Sequence, residues 1–219
     1  MKIQKKNYHH GNLAEAILLR AAEIIDERGI EALSLRSVAR DLDVSHSAPN
    51  RHFKSKTDLL SALALDGWLK VRDATLSAAE ATGSSNPHIR LNAMGRGYLR
   101  WALNNRAFFR AINHPDVNRQ ASDELSEAVD NFSDIVQSAI EATRRAGRHA
   151  DTPLTVLTIF TNAVPIGAAT VLSDSLLARL MPADMDQEEL IAQVVDLVVP
   201  LSNVEAEERP AFASSPASL

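Results

Sequence analysis

The sequence of 219 residues contains no cysteine. That excludes a disulfide scaffold, a Cys-based zinc site, an iron–sulfur centre and a thiol nucleophile. Proline and glycine are scarce, at 9 and 8, and they gather at the junctions between apolar-periodic stretches. No Asn-Gly or Asp-Gly hairpin signal with flanking alternation is present, so strands are not expected. A Gly-x-Ser-x-Gly elbow, a phosphate-cradling glycine loop and a His-Glu-x-x-His pair are all missing, although there are seven histidines. Neither catalysis, a metal nor a cofactor is implied. The start, Met1-Lys2-Ile3-Gln4-Lys5-Lys6, leads into polar residues where a secretory signal would have its apolar region, so a cytoplasmic protein is expected.

What is present is helical periodicity, and the expected fold class is all-α. Leu13, Ile17, Ala21 and Ile24 recur on one face of a first helix, opened by Asn12 with Glu15 and stopped by Gly29. Ser34 caps a short second helix carrying Leu35, Val38, Ala39 and Leu42. After a turn at Asp43-Val44, Ser45 caps a short third helix ending near Phe53. Ser55-Lys56-Thr57-Asp58 opens a long fourth helix to about Glu80, with Leu60, Leu63, Gly67 and Val71 inside. Beyond the linker at 81–87, helices are expected near 87–104, 105–113, 120–147, 152–174 and 186–202. The expected organisation is a domain over 1–55, a second over 56–203 and a disordered tail over 204–219.

Charge is unevenly spread. The chain carries −5, yet residues 1–60 hold ten Lys and Arg against eight acids, leaving +2 there and −7 in the remainder. Residues 1–14 and 44–57 contain no acid at all. Phosphate contact requires locally basic surface of this kind, whatever the total.

Residues 152–173 contain no charge, a run long enough to raise the question of a membrane span. Against it stand Pro165, Asn162, several threonines and the flanks Asp151 and Asp174, with no Lys or Arg cluster at either end. No membrane is expected. A soluble helix that is apolar all round must be covered on both sides, and 190–199 has the same excess. Two such helices predict a homodimer through a four-helix interface, the alternative being one deeply buried monomer core.

Residues 34–56 carry the sharpest signal: two short capped helices, a tight turn, small Ala39 at the crossing point and an acid-free basic segment after it. This is the layout of a helix-turn-helix, whose second helix enters the major groove. Residues 8–60 closely resemble the N-terminal domain of the TetR (tetracycline repressor) family of bacterial transcription regulators. The resemblance runs through Tyr8-His9-His10-Gly11-Asn12-Leu13, Ala21-Ala22-Glu23-Ile24-Ile25 and Gly29 to Arg36. It is most specific at Ala48-Pro49-Asn50-Arg51-His52-Phe53-Lys54-Ser55-Lys56-Thr57-Asp58-Leu59-Leu60, similar to the family's Tyr-x-His-Phe-x-x-Lys-x-x-Leu signature. Asn50 stands where the family usually has Tyr, and Asp43 where the turn commonly has Gly.

The resemblance implies a three-helix DNA-binding domain, a C-terminal ligand-binding and dimerisation domain, and three partners: double-stranded DNA with an inverted-repeat operator, a small-molecule effector and a second copy of the chain. It implies a DNA-binding surface of Ser34, Arg36, Ser45, His46, Ser47, Ala48, Asn50, Arg51, His52 and Lys56. Of these, Arg36, His46, Ser47 and Ala48 face base edges, and Asn50, Arg51, His52 and Lys56 hold phosphates. Phe53 is expected to plug the small core. In the second domain Trp68, Met94, Tyr98, Trp101, Phe109, Phe132, Phe160 and Asn162 have the composition of an apolar pocket with a few polar anchors, or of plain core. The expected function is a transcriptional regulator, most often a repressor released by a hydrophobic or amphipathic ligand. A ligand-independent DNA-binding factor and a helical small-molecule-binding enzyme are the alternatives.

Overall fold

The computed structural model describes residues 13–173 and 186–201. The arm 1–12 with its capping Asn12, the break at Met181-Pro182 and the tail 204–219 lie outside the described residues. No strand occurs among the described residues. The helices are α1 (Leu13–Arg28), α2 (Leu35–Asp41), α3 (Lys56–Ala81), α4 (Pro87–Asn104), α5 (Arg106–Ile112), α6 (Pro115–Arg119), α7 (Asp123–Arg145), α8 (Leu154–Ser173) and α9 (Gln187–Val198), with short 3-10 turns at Ile30–Ala32 and Pro49–Arg51. The expected all-α class is what the chain adopts.

The chain divides into two compact units, but not at residue 55. The first comprises residues up to Gly67 together with 106–126, and the second comprises 68–105 together with the chain from Glu127 onward. Reading the sequence as a linear string hid this, because α5 and α6 return to the first unit. There α5 packs on α1, and the Arg110 guanidinium donates to the Ile25 carbonyl at 3.0 Å.

In the first unit, Ile17, Ile24 and Ile25 of α1 are fully buried, as are Leu33, Val38, Leu59, Leu60 and Leu63. Gly29 ends α1 with φ +84, and its N–H donates to Ile25 at 3.0 Å, as its place after the apolar run predicts. Ser34 caps α2 by accepting from the Ser37 N–H, and Ser37 answers through its own hydroxyl. An ion-pair cluster then ties α2 to α1: Asp41 accepts from Arg20 at 2.8 Å and Arg28 at 2.5 Å. The two guanidiniums, Arg28 first, hold the Asp41 carboxyl down to about 2. Asp26 behaves oppositely, its carboxyl pushed up by burial against α5 despite Arg110 nearby.

The second unit is built around α4, which contacts both α8 and α9. Gly97 permits the closest approach: a Cβ there would meet Ala78 at 2.7 Å and the Ala74 carbonyl oxygen at 2.9 Å. Arg96, only 5% exposed, donates to Asp196 of α9 at 2.7 Å. Asn92 adds bonds to the same Asp196 oxygen at 2.7 Å and to the Val199 carbonyl at 2.8 Å. Arg100 pairs with Glu188 at the start of α9. Trp68, Phe132 and Tyr98 form a ring cluster, with Phe132 5.4 Å from Trp68 and 6.3 Å from Tyr98.

The monomer-core alternative for α8 does not hold among the described residues. Only 11% of its apolar window is buried, and Val156, Ile159, Phe160, Ile166 and Val171 stand exposed. α8 is long and apolar enough to cross a membrane by length and composition alone, while its contacts with α4 and α9 are those of a helix with one face packed on the protein.

Candidate functional site

The segment between α2 and α3 is where the expected local structure is corrected. A third helix over 45–53 does not form; turns at 46–48 lead into the 3-10 turn Pro49–Arg51. Pro49 is the reason. It has no N–H for the Ser45 carbonyl, which accepts from Ala48 at 2.9 Å, one residue short of α-helical spacing. The winding continues through Arg51 onto Ala48 and His52 onto Pro49, and Phe53 N–H reaches Pro49 at 2.9 Å. Phe53 is buried, as expected of a core plug.

Two flanking turns fix this segment. Asp43 adopts φ +56, the left-handed conformation that Asp reaches more easily than most residues, and the Val44 N–H closes onto Ala39 at 3.0 Å. At the other end the Ser55 hydroxyl accepts from the Asp58 N–H at 3.0 Å. The Asp58 carboxylate takes the N–H of Lys54 at 2.9 Å, one residue earlier than an ordinary capping box.

These constraints bring six of the ten expected residues to one shallow, open depression: Ser34, Arg36, His46, Ser47, Asn50 and Lys56, with Leu35. They come from the start of α2, the turn segment and the start of α3. Arg36, His46, Ser47 and Asn50 are exposed. Ser45, Arg51 and His52 are exposed outside that depression, the Ser45 hydroxyl bonded to Ser47 at 3.3 Å, and Ala48 is half-buried. Glu31 lies 3.8 Å from the Lys56 ammonium, a carboxylate that the acid-free window at 44–57 did not foreshadow. At 92% exposure it is free to swing away from a competing anion.

The eight residues expected at a pocket are not brought together. Met94, Tyr98, Phe132 and Asn162 line one apolar cavity in the second unit, with Thr75, Pro165 and Val195 among its other walls. Phe109 belongs to the first unit and is buried there. Trp101 is buried without lining a described cavity, and Trp68 does not line the apolar cavity but meets Phe132 with its ring tilted by 49°. Phe160 is exposed and lines a separate outer cavity. The inner cavity has a volume of about 40 Å3. That is far below the roughly 300–1,000 Å3 of sites for drug-sized ligands. Burial pushes the Tyr98 hydroxyl well above its usual range, so it stays neutral and available as a donor into this space. Sequence reasoning missed the α9 side of the wall, Val194, Val195, Val198 and Val199, since valines on a second apolar helix carry no signal for a cavity.

Two family models match the chain. The model described as bacterial regulatory proteins, tetR family, covers residues 17–63, and the model described as tetracyclin repressor-like, C-terminal domain, covers 91–198. The class D tetracycline repressor of Escherichia coli is 34% identical over 89 residues, a match that spans 40% of this chain and 40% of that repressor. A protein of unknown function from Rhodococcus sp. RHA1 is similar in structure, with a TM-score of 0.69 and 27% identity, covering 89% of this chain and 95% of that one. A bacterial regulatory protein in the tetR family from Rhodococcus RHA1 superposes with a TM-score of 0.67 at 22% identity, over 86% of this chain and 95% of that one.

Proposed function

The chain belongs to the tetR family of bacterial regulatory proteins, and from that premise we propose that it is a cytoplasmic, operator-binding transcriptional repressor, working as a homodimer and released by a small hydrophobic or amphipathic ligand. The observation that carries the reading is the exposed depression that joins Arg36, His46, Ser47, Asn50 and Lys56. In this reading Arg36 grips guanine through O6 and N7 with its two-donor fork, and His46 and Ser47 face neighbouring base edges. Asn50, Arg51, His52 and Lys56 hold phosphates and set the register. Asn50 reaches less far than the tyrosine usual at its position, so its phosphate sits closer to the segment.

Dimerisation follows from the exposed apolar faces of α8 and α9. Ile159 is 64% exposed and Leu197 83%. A second copy is the natural cover for both, and two-fold symmetry demands two inverted half-sites one helical turn, or a multiple of it, apart. The ligand's role rests on the small inner cavity: a molecule that enters must widen it, and α3 carries Thr75 on the cavity wall and Lys56 at its start. A ligand that favours the widened state disfavours whatever binds the other state.

Selection of duplexes from a random pool tests this. The expected product is an inverted repeat retained by the wild-type chain and lost from Arg36→Ala. A pool that enriches no sequence overturns the reading. A set of apolar compounds that raise the melting temperature without weakening the selected duplex favours a ligand-independent DNA-binding factor of the same fold.

A further inference from the structure

The short helix α2 buries Val38 and Ala39 completely, and the third residue it buries is polar: Ser37, 9% exposed. The Ser37 hydroxyl is satisfied without water, because it accepts from the Ser34 N–H at 2.9 Å and donates to the Ser34 carbonyl at 2.8 Å. Leu35, at the start of the same helix, is only half-buried and lines the open depression together with Arg36. A serine therefore points inward from α2 while a leucine borders the surface assigned to DNA. Leaving that leucine partly in water forgoes some of the stabilisation that full burial gives.

Leu35 is unlike every other wall of the depression. Ser34 and Ser47 bring hydroxyls, Asn50 an amide, His46 a ring, and Arg36 and Lys56 cations. All of these can hydrogen-bond, and leucine cannot. In the major groove the base edges present donors, acceptors and one apolar group, the C5-methyl of thymine. Among the groups on offer, an aliphatic side chain complements that methyl alone. Ala48, the other apolar residue expected at base edges, is half-buried and is not a wall of the depression.

The backbone limits which base pair Leu35 can reach. Leu35 and Arg36 are consecutive residues in the first turn of α2, held there by the Ser34 cap. Consecutive Cα atoms lie about 3.8 Å apart and stacked bases about 3.4 Å apart along a strand, so the two side chains address base pairs within about two steps of each other. We propose that Leu35 is a specificity-determining residue that reads the methyl group of a thymine within two base pairs of the guanine held by Arg36. This rests on the operator-binding reading given above and adds a second base to the half-site.

The duplex selected from the random pool, remade with uracil at each thymine in turn, tests the assignment by fluorescence anisotropy with the full chain. Uracil keeps the hydrogen-bonding groups of thymine and lacks only the methyl. The guanine held by Arg36 is the one at which Arg36→Ala loses discrimination. At one thymine per half-site, within two base pairs of that guanine, the wild type binds the uracil duplex about fourfold more weakly, the worth of one buried methyl-sized group. Leu35→Asn binds the thymine and uracil duplexes equally, and Leu35→Met keeps the difference. A leucine that merely supported α2 would, when replaced, weaken binding to both duplexes alike and leave their ratio unchanged. Should Leu35→Asn fail to fold, Leu35→Ala makes the same comparison, with a reduced ratio expected. A selected half-site without thymine in that window, uniform tolerance of uracil by the wild type, or an unchanged ratio in the folded Leu35 variant overturns the assignment while the operator-binding reading stands. A pool that enriches no sequence overturns both.

Discussion

The two units place their chemistry in opposite ways. In the first, the residues that matter lie on the surface, within about two dozen positions of sequence, each reaching outward from backbone held by caps and turns. In the second, the walls of the cavities are gathered from α3, α4, α7, α8 and α9, and the same side chains hold the unit together. Outward residues are separable, so mutating one subtracts one contact. Inward residues are shared between packing and any ligand, and mutating one disturbs both.

The largest expected effect tests the outer face of the second unit. Ile159→Arg or Leu197→Arg places a charge on the exposed apolar face, and the expected outcome by light scattering is a folded monomer for the variants and a dimer for the wild type. Val195 illustrates the correction that structure brings. It lies in the apolar stretch 190–199 expected at the interface, but it is 2% exposed and packs on Gly95, so Val195→Arg unfolds the unit by burying an unpaired charge. A wild-type chain that is monomeric at micromolar concentration would falsify the assignment of this face.

Next comes the clasp between α4 and α9. Asp196→Ala removes the acceptor shared by the buried Arg96 and Asn92. The expected loss is about 3 kcal/mol in chemical denaturation. Duplex binding by the protein that remains folded is expected to be unaffected, which is the sense in which the units are separable. A matching loss of duplex affinity breaks the comparison.

Single residues of the first unit sharpen it from the other side. Arg36→Ala is expected to cost roughly 1–3 kcal/mol on the selected duplex and almost nothing on random DNA. Lys56→Ala weakens both duplexes alike and lowers the salt slope by about one unit. Equal losses for both variants on both duplexes would contradict the division between base and phosphate contacts.

The same contrast explains what could be read in the sequence. Capping by Ser34, the stop at Gly29 and the left-handed Asp43 are decided by a few consecutive residues, and each appears where local chemistry puts it. The third helix expected after the Ser45 cap does not form because Pro49 has no N–H to continue it, itself a local fact. Helix boundaries in the second unit were close to those observed: 87–104 agrees, 152–174 became 154–173 and 186–202 became 187–198. Which aromatics share a cavity was not legible. Phe109 and Trp101 have the composition of pocket residues, and only the return of α5 to the first unit, a long-range event, removes Phe109.

The smallest expected effect concerns acid, and it tests whether the ion pairs of the first unit matter to its stability. The Asp41 carboxyl is held at about 2 against an ordinary value of 3.8, by Arg28 first, then Arg20 and Arg40. A folded-state value below the unfolded one means that the ionised form stabilises the fold. That contribution is complete above pH 4 and fades as the pH falls from there through about 2. Asp26, raised by burial, works in the opposite direction, favouring the fold while protonated and losing that contribution as the pH rises through its folded value. Asp41→Asn should therefore lower stability near neutral pH by a modest amount and flatten the acid limb between pH 4 and 2. Added salt should shrink the difference, because the partners Glu23 and Glu27 that share Arg20 are about half exposed. Denaturant titrations of the wild type and Asp41→Asn at several pH values measure it. Parallel acid limbs would mean that the cluster joining α1 to α2 orients the helices without stabilising them, and that the buried apolar side chains of α1 alone hold α2 in place.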